Sequence, residues 1–330
     1  MKVKRKKRRT SIYVRAGLAA GLLAITMACF KMDKPSSSSS TPPPSTPANT
    51  NIEPGINYDR PGAGTPEQTT GGVPTYKVSS KVAGRDLPYR VILPTEYKDK
   101  ADARYPVVYL LHGLTGHFSD WIDRTNLLQI AAKYNFIVVT PEGNDGWYSD
   151  SAISPNDRYE SYIVNELIPE IDKRFRTLAD RQHRVIAGLS MGGYGSLKFG
   201  LKYPTMFSMI GSFSGALKIA EWSENAGGNK AIGKSIDVVF GPINSPARKA
   251  NDIFRMAREL TPDKAKALPY IYQSCGTEDP MLEGNRAFDK LLTEKGVVHD
   301  FKTSKGGHDW VFWGDQVAAF LDMCDRRLKG

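Results

Sequence analysis

The chain has 330 residues, with 45 Lys or Arg against 35 Asp or Glu and a formal net charge of +10. Eight of the basic residues, and no acidic one, precede Cys29, so the rest of the chain is close to neutral. Because the excess positive charge is confined to the N-terminus, the composition argues against a nucleic-acid partner. Residues 74–330 have a normal length for one α/β domain.

The first 28 residues are predicted to be a signal segment. A basic run is followed at residues 16–28 by an apolar stretch that is too short to span a membrane comfortably. Cys29 comes directly after Ile-Thr-Met-Ala, a degenerate lipobox in which Thr26 replaces the usual leucine. The pattern predicts export as a bacterial lipoprotein, in the periplasm or outer membrane, with a diacylglyceryl anchor on Cys29. An uncleaved N-terminal anchor and ordinary signal cleavage nearby are the alternatives.

Residues 29–73 are predicted to be a disordered tether. They are rich in Ser, Pro and Thr and lack the apolar residues that would repay the entropy of ordering. Such a tether would hold a folded domain away from a membrane surface, and that domain is expected at residues 74–330.

Residues 188–192, Gly-Leu-Ser-Met-Gly, fit the G-x-S-x-G nucleophile elbow. A β-type run precedes them at residues 184–187 and a helix-compatible run follows at 194–202, which is the strand–turn–helix context that the motif requires. The two glycines remove side chains that would collide with the neighbouring backbone in so sharp a turn. The motif therefore predicts an exposed, strained nucleophile, Ser190, at the N-terminus of a helix.

Two partners for Ser190 follow it in the order serine, acid, histidine. Residues 269–275 predict a buried strand that is followed by Asp279, and residues 297–303 predict a last strand that is followed by His308. Loops at the carboxyl ends of parallel strands are where such a sheet displays functional groups. His308 would take the serine proton, while Asp279 would hold the correct tautomer and stabilise the imidazolium.

Glu278 is the alternative acid. We prefer Asp279 because the Gly-x-x-Asp spacing suits a turn that points the carboxylate inward. The remaining histidines are expected to be structural: His112, His117, His183 and His299.

A strand buried on both faces is predicted at residues 105–111, and it ends in a Gly-rich segment at 112–116. We expect the N–H groups of Leu114 and of Met191, the residue after the nucleophile, to form an oxyanion hole. An ordinary strand-to-helix turn is the alternative for the Gly-rich segment.

Further strands are predicted at residues 136–140 and 209–214, and a helix at 159–175 has apolar residues at every fourth position. The predicted class is α/β, with a mostly parallel central sheet and helices on both faces. Residues 216–264 interrupt the alternation as an insert with helices at 217–222 and 247–260. The insert would be a lid, a pocket wall or a surface addition.

Three aromatic residues are expected at the same edge of the sheet. Trp147 and Tyr148 follow the strand at residues 136–140, and Trp310 lies beside His308. Together they could form a substrate-binding platform for a sugar or aryl ring, and core packing is the alternative for each.

Cys275 and Cys324 are expected to be free, buried thiols, and a disulfide is the alternative. No Cys or His cluster in the sequence has metal-ligand spacing, and no phosphate-binding loop is evident. The sequence therefore predicts neither a metal nor a cofactor.

With these residues in view, the chain resembles the putative-esterase (esterase D-like) family of α/β-hydrolases over about residues 74–328. The resemblance rests on six motifs in one order: Leu-Leu-His-Gly at 110–113, Gly-Trp-Tyr-Ser-Asp at 146–150, Tyr-Glu-Ser-Tyr-Ile-Val-Asn-Glu-Leu-Ile-Pro at 159–169, Gly-Leu-Ser-Met-Gly-Gly-Tyr-Gly at 188–195, Cys-Gly-Thr-Glu-Asp at 275–279 and Gly-His-Asp-Trp at 307–310. The family includes feruloyl and acetyl xylan esterases, tributyrin esterases, S-formylglutathione hydrolases and bacterial mycolyltransferases. The resemblance implies an α/β-hydrolase fold with a catalytic domain at 74–330 and a triad of Ser190, Asp279 and His308.

The sequence thus predicts an exported serine esterase that forms an acyl-enzyme and removes acetyl or feruloyl groups from polysaccharides or oligosaccharides. An acyltransferase on the same triad is one alternative. A tethered, non-catalytic binding protein is another, although the intact Ser/Asp/His set argues against it. An S-formylglutathione hydrolase would fit the resemblance, but its substrate is cytosolic and this chain carries an export signal.

Overall fold

The computed structural model of the chain describes residues 68–70, 72–223 and 230–329. The predicted signal segment, Cys29 and most of the predicted tether lie outside the described residues. Strand β1 (Gln68–Thr70) and the first residue of β2 (Val73–Ser80) fall inside the segment predicted to be tether. The folded domain therefore begins earlier than residue 74, because β1 pairs with β2 in an antiparallel ladder that satisfies its backbone groups.

Within the described residues, a nine-stranded sheet forms the centre of the domain. The strands after β2 are β3 (Arg85–Ile92), β4 (Val107–Leu111), β5 (Ile137–Pro141), β6 (Arg184–Leu189), β7 (Met209–Phe213), β8 (Tyr270–Gly276) and β9 (His299–Ser304). Their order in space is β1-β2-β3-β5-β4-β6-β7-β8-β9. In this spatial order, the first three ladders (β1 with β2, β2 with β3, β3 with β5) are antiparallel. The remaining five ladders, from β5 with β4 to β8 with β9, are parallel, so the predicted mostly parallel sheet is confirmed.

Helices cover both faces of the sheet, as predicted. They are α1 (Asp120–Asp123), α2 (Leu127–Ala131), α3 (Tyr159–Tyr162), α4 (Ile168–Arg174), α5 (Met191–Lys202), α6 (Lys230–Phe240), α7 (Pro246–Ala250), α8 (Ile253–Arg258), α9 (Pro262–Ala267), α10 (Leu282–Glu294) and α11 (Trp310–Leu328). A π-helical turn, Ile163–Leu167, joins α3 to α4, and a 3₁₀ turn lies at Ile219–Glu221.

The core has two hydrophobic clusters, one on each face of the sheet. In β4, Tyr109 belongs to one cluster together with Leu197 of α5, whereas Leu110 belongs to the other together with Phe320 of α11. This alternation follows from the two-residue period of a strand. A strand covered by helices on both sides needs apolar residues at every position, which explains the continuous apolar run that predicted β4.

The insert at residues 216–264 contains more helix than the sequence indicated. Helix α6 was not predicted, and the single helix predicted at 247–260 is two helices, α7 and α8. The break occurs because Asp252 caps the second helix, with its carboxylate accepting the N–H of Arg255 at 3.1 Å. Arg248 anchors the insert internally, since its buried guanidinium bonds to Asp237 and to the carbonyl of Gly241.

A buried ion pair joins α5 to the start of α3. Lys198 is fully buried, and its Nζ donates to Glu160 Oε2 at 2.7 Å and to the carbonyl of Tyr148 at 2.6 Å. Glu160 also accepts from Lys202 and from the hydroxyl of Tyr203. Burial alone would raise the pKa of Glu160, but the charge and hydrogen bond of Lys198, with the bonds from Lys202 and Tyr203, lower it to about 2. The charged pair is therefore retained at neutral pH, and it fixes the loop before α3 against α5.

Cys275 and Cys324 are buried and free, as predicted. In the part of the chain that the structure describes, no helix is long and apolar enough to cross a membrane.

Candidate active site

Ser190 lies in the turn between β6 and α5, as the motif predicts. Its backbone has φ 53° and ψ −112°, a conformation that is costly for a residue with a side chain and that occurs mainly at functional sites. The turn is held by two backbone hydrogen bonds, from Ser190 N–H to the carbonyl of Phe213 at 2.9 Å and from the N–H of Ala216 to the carbonyl of Ser190 at 3.1 Å. The strained conformation is therefore fixed by the neighbouring strand β7 and by the segment that follows it.

The two glycines of the elbow are required by crowding. A Cβ on Gly188 would lie 2.6 Å from the carbonyl carbon of Gly192, and a Cβ on Gly192 would lie 2.5 Å from the carbonyl oxygen of Leu111. Both obstacles are backbone atoms, which cannot move aside as the end of a side chain can. Ser190 therefore depends on glycine at both positions.

Ser190, His308 and Asp279 form a continuous hydrogen-bonded chain. His308 Nε2 lies 3.0 Å from Ser190 Oγ, and His308 Nδ1 lies 3.0 and 3.1 Å from the two carboxylate oxygens of Asp279. Since a carboxylate only accepts, Nδ1 carries the proton and Nε2 is left to accept the proton of the serine hydroxyl. The structure thus brings together the three residues that the sequence predicts as a triad.

Asp279 rather than Glu278 contacts the histidine. The side chain of Asp279 is completely buried, whereas Glu278 is exposed. Burial alone would raise the pKa of Asp279, but its bonds to His308 and from the N–H of Met281 at 2.8 Å outweigh burial and lower it below the usual value. The carboxylate is therefore ionised at neutral pH and able to stabilise an imidazolium.

The loops that carry the acid and the histidine are bound to each other. The N–H of Thr277 donates to the carbonyl of Ser304 and the N–H of Glu278 to that of Gly306, each at 2.9 Å. The ring of His308 meets Trp313 edge-on, with 5.0 Å between ring centroids. These contacts limit the freedom of the imidazole before any substrate binds.

The two residues predicted to supply oxyanion donors, Met191 and Leu114, lie in the segments that adjoin the nucleophile. Met191 is the first residue of α5, where N–H groups have no acceptor inside the helix and the helix dipole favours negative charge. The loop after β4 approaches from the other side, since a Cβ on Gly113 would lie 3.5 Å from Ser190 Cβ and 2.6 Å from Leu189 Cδ1. Leu114 follows directly, so its N–H belongs to the loop that passes close to the serine.

The predicted aromatic platform is wrong for two of its three residues. Trp147 and Tyr148 are 2% and 0% exposed, because the loop after β5 turns inward under α6 and buries both rings in the core. Trp147 Nε1 donates to Ser235 Oγ at 3.0 Å, and the Tyr148 hydroxyl donates to the carbonyl of His112 at 3.0 Å. Both residues have left-handed backbone, with φ values of 51° and 48°.

Trp310 is half-buried at the start of α11. It packs edge-on against Trp121 and Trp313, with centroid distances of 5.6 and 5.3 Å, and the guanidinium of Arg124 lies over its ring at 5.6 Å. Of the three predicted platform residues, Trp310 is the one whose side chain remains partly exposed to solvent.

Sequence reasoning missed Glu142, a carboxylate buried directly after β5. It lies 3.1 Å from His112 Nε2 and 3.4 Å from His117 Nδ1. An acidic residue directly after a largely apolar, fully buried strand was the available signal, because a buried carboxylate is costly unless it is paired. The other two histidines also contact carboxylates away from Ser190, namely His183 with Asp180 and His299 with Asp289.

A cleft of about 770 Å³ adjoins the loop after β4. One wall is residues 115–117 of that loop and another is the turn at 144–146, which follows β5. The third wall is α6, so the insert contributes a pocket wall, one of the roles expected for it. The α6 residues that line the cleft are Lys234, Ser235, Val238 and Val239.

Comparison with known proteins identifies the family. The family model described as Putative esterase matches residues 80–323. An acetyl esterase of Caldicellulosiruptor saccharolyticus is 31% identical over 248 residues, which cover 72% of this chain and 92% of that protein. The chain belongs to the putative-esterase family.

Two further relatives agree with that assignment. An endo-1,4-beta-xylanase/feruloyl esterase of Xylanibacter ruminicola is 34% identical over 246 residues, which cover 68% of this chain but 28% of that longer protein. The solved structure of a ferulic acid esterase matches with a TM-score of 0.66 and 27% identity, covering 78% of this chain and 98% of that one. This esterase therefore has the α/β-hydrolase fold and is a serine carboxylic-ester hydrolase.

The geometry of the esterase site suits acyl transfer through the serine. Ser190 can give its proton to His308 Nε2 as its oxygen attacks an ester carbonyl, and Asp279 can stabilise the imidazolium that forms. No group of three or more His, Cys, Asp or Glu within residues 68–70, 72–223 and 230–329 is placed to hold a metal ion.

Replacing Asp279 by Asn should lower kcat by about 10³- to 10⁴-fold, because an amide at this position allows the wrong His308 tautomer. Glu278→Gln is the matched control, since Glu278 is adjacent and exposed, and it should stay within about twofold of wild type. Steady-state hydrolysis of p-nitrophenyl acetate measures both variants. The reverse order of effects would mean that Glu278 orients the histidine.

Proposed function

We propose that this chain is an exported serine esterase that removes acetyl or feruloyl groups from oligosaccharides or polysaccharides. The observation that carries the proposal is the hydrogen-bonded chain from Ser190 Oγ through His308 to the buried carboxylate of Asp279. In a family of ester hydrolases, that chain supplies nucleophile, general base and orienting acid.

The reaction then has two stages. Ser190 Oγ attacks the ester carbonyl while His308 Nε2 takes its proton, and the tetrahedral intermediate places its oxyanion on the N–H groups of Leu114 and Met191. His308 returns the proton to the departing alcohol, which leaves an acyl-serine. Water, deprotonated by His308, attacks the acyl-serine and releases the acid.

The relatives support an acetyl or feruloyl substrate. One of them is named an acetyl esterase, another is named a xylanase/feruloyl esterase, and a third is a ferulic acid esterase. The acyl groups in those names are a two-carbon chain and a substituted cinnamoyl group, and the xylanase in one of them points to a polysaccharide as the alcohol.

The cleft beside the loop after β4 supports a saccharide. Its rim carries the exposed side chains of Asn144, Asp145 and Lys234, whereas Val238 and Val239 give one wall an apolar surface. Sugars offer both hydroxyl groups and apolar C–H faces, so a mixed lining of this kind suits a sugar ring better than it suits a fatty acyl chain.

Filling the cleft should separate saccharide esters from small esters. Val238→Trp should raise KM for acetylated xylo-oligosaccharides by about tenfold, equivalent to ~1.4 kcal/mol of binding, and leave p-nitrophenyl acetate unchanged. Ile243→Trp is the control, because Ile243 is an exposed residue of the same insert that does not line the cleft. Initial rates on both substrates, with methyl ferulate and p-nitrophenyl butyrate beside them, measure the effect.

If the Val238→Trp variant hydrolyses saccharide esters as fast as the wild type does, the cleft is not part of the substrate-binding site. A preference for the longer acyl chains would instead point to a lipase or an acyltransferase.

For location, we propose that Cys29 is the first residue of the mature protein and carries a diacylglyceryl group. A basic segment, a short apolar segment and a Ser/Pro/Thr-rich segment meet at this cysteine. Mass spectrometry of the protein from the membrane fraction should find the lipid-modified Cys29 peptide, and Cys29→Ser should abolish it. A mature N-terminus elsewhere would refute the anchor and leave the esterase proposal intact.

A further inference from the structure

The loop after β4 has the carbonyl oxygens of two successive peptides fixed in place. The carbonyl of His112 accepts from the Tyr148 hydroxyl at 3.0 Å. The carbonyl of Gly113 accepts from His112 Nδ1 at 2.7 Å and from the N–H of Gly116 at 3.1 Å. Because a trans peptide points its N–H opposite to its carbonyl, fixing the carbonyl of Gly113 also fixes the direction of the N–H of Leu114.

The ring of His112 has a determined tautomer. A carbonyl oxygen can only accept, so His112 Nδ1 carries a proton and donates it to Gly113. His112 Nε2 faces Glu142 Oε1 at 3.1 Å and the N–H of Gly143 at 2.9 Å. Whether Nε2 donates to the carboxylate or accepts from the amide, the proton on Nδ1 is retained.

Glu142 holds the outer edge of the ring. It is buried, and the N–H of Asn144 donates to its Oε1 at 2.7 Å. Burial alone would raise the pKa of Glu142, but His112 and the N–H groups of Asn144 and Phe118 lower it to about 2. The carboxylate is therefore ionised, and a buried ionised group of this kind is a strong constraint on the donors around it.

Tyr148 is itself fixed by a hydrogen bond to its backbone carbonyl. Its backbone is left-handed, which is costly for a tyrosine, and its carbonyl accepts from the buried ammonium of Lys198 at 2.6 Å. Lys198 belongs to α5, the helix that begins directly after Ser190. One network of buried groups thus joins the nucleophile helix to the peptide that carries the Leu114 N–H.

We propose that His112 is a positioning residue that orients the Gly113–Leu114 peptide so that the Leu114 N–H faces the oxyanion, with Glu142 and Tyr148 holding His112 and its carbonyl in place. This inference rests on the proposed function, since it assigns a role within the same acyl-transfer site. Without the donor on Nδ1, the carbonyl of Gly113 keeps only the longer bond from the N–H of Gly116, and the peptide rotates more easily. A rotated peptide presents a carbonyl oxygen where the intermediate needs a donor, which opposes the negative charge of the transition state.

A pair of variants isolates the donor. His112→Asn keeps an N–H donor at the position of Nδ1, whereas His112→Leu has a similar shape without a donor, and both lose the contact with Glu142. His112→Leu should lose about 10²- to 10³-fold in kcat on p-nitrophenyl acetate, the size of one oxyanion-hole donor. His112→Asn should stay within about tenfold of wild type, and KM should change by less than about threefold in both, because the interaction forms in the transition state.

Two results would overturn the proposal: equal losses of kcat in the Asn and Leu variants, or a loss confined to KM. Thermal unfolding of each variant shows whether it is folded at the assay temperature. If the Leu variant does not fold, Tyr148→Phe decides, because it keeps the ring and removes only the bond to the His112 carbonyl. It should lower kcat about tenfold at unchanged KM, and wild-type kcat would overturn the proposal.

Ser190→Ala separates this proposal from the one on which it rests. If Ser190→Ala loses turnover while the His112 variants keep wild-type kcat, the positioning role of His112 is refuted and the serine mechanism is supported. Turnover that survives in Ser190→Ala removes the proposed function itself.

Discussion

The left-handed backbone at Ser190 is the constraint on which the rest of the site depends. Holding a serine at φ 53° and ψ −112° places its hydroxyl above the carboxyl edge of the sheet and starts α5 at the next residue. The conformation is held because Phe213 of β7 and Ala216, just after β7, bond to the N–H and the carbonyl of Ser190. Gly188 and Gly192 leave room for backbone at contact distance. The position of the serine in turn determines where a histidine and two N–H donors must lie.

The parts that meet at Ser190 come from opposite sides of it in the sheet. His308 and Asp279 follow β9 and β8 on one side, and the loop with Leu114 follows β4 on the other. Each side has a buried carboxylate in contact with a histidine, Asp279 with His308 on one side and Glu142 with His112 on the other. The low dielectric that makes such pairs costly to break also strengthens their hold on the loops.

The sequence predicts most of the catalytic edge because the chemistry there requires particular residues in a fixed order. The elbow, the acid and the histidine could each be placed after a predicted strand, and the structure has β6, β8 and β9 at those places. The tether boundary was wrong because β1 is short and polar, with no periodic signal of its own. The prediction of an aromatic platform was wrong for Trp147 and Tyr148 because the sequence pattern does not show their left-handed backbone conformation, which turns both side chains into the core. Helix α6 was missed although its sequence carries a signal, because Ile232, Ile236 and Val239 recur at the spacing of an amphipathic helix.

In the proposed reaction, Ser190 is a nucleophile that His308 activates. Reaction of the full-length protein with a fluorophosphonate, followed by mass spectrometry of the labelled peptides, tests this most directly. One labelled residue, Ser190, is predicted, with no labelling in Ser190→Ala and labelling slowed by on the order of 10³-fold or more in His308→Ala. A label on another serine, or labelling of Ser190 at an unchanged rate without His308, would contradict the account.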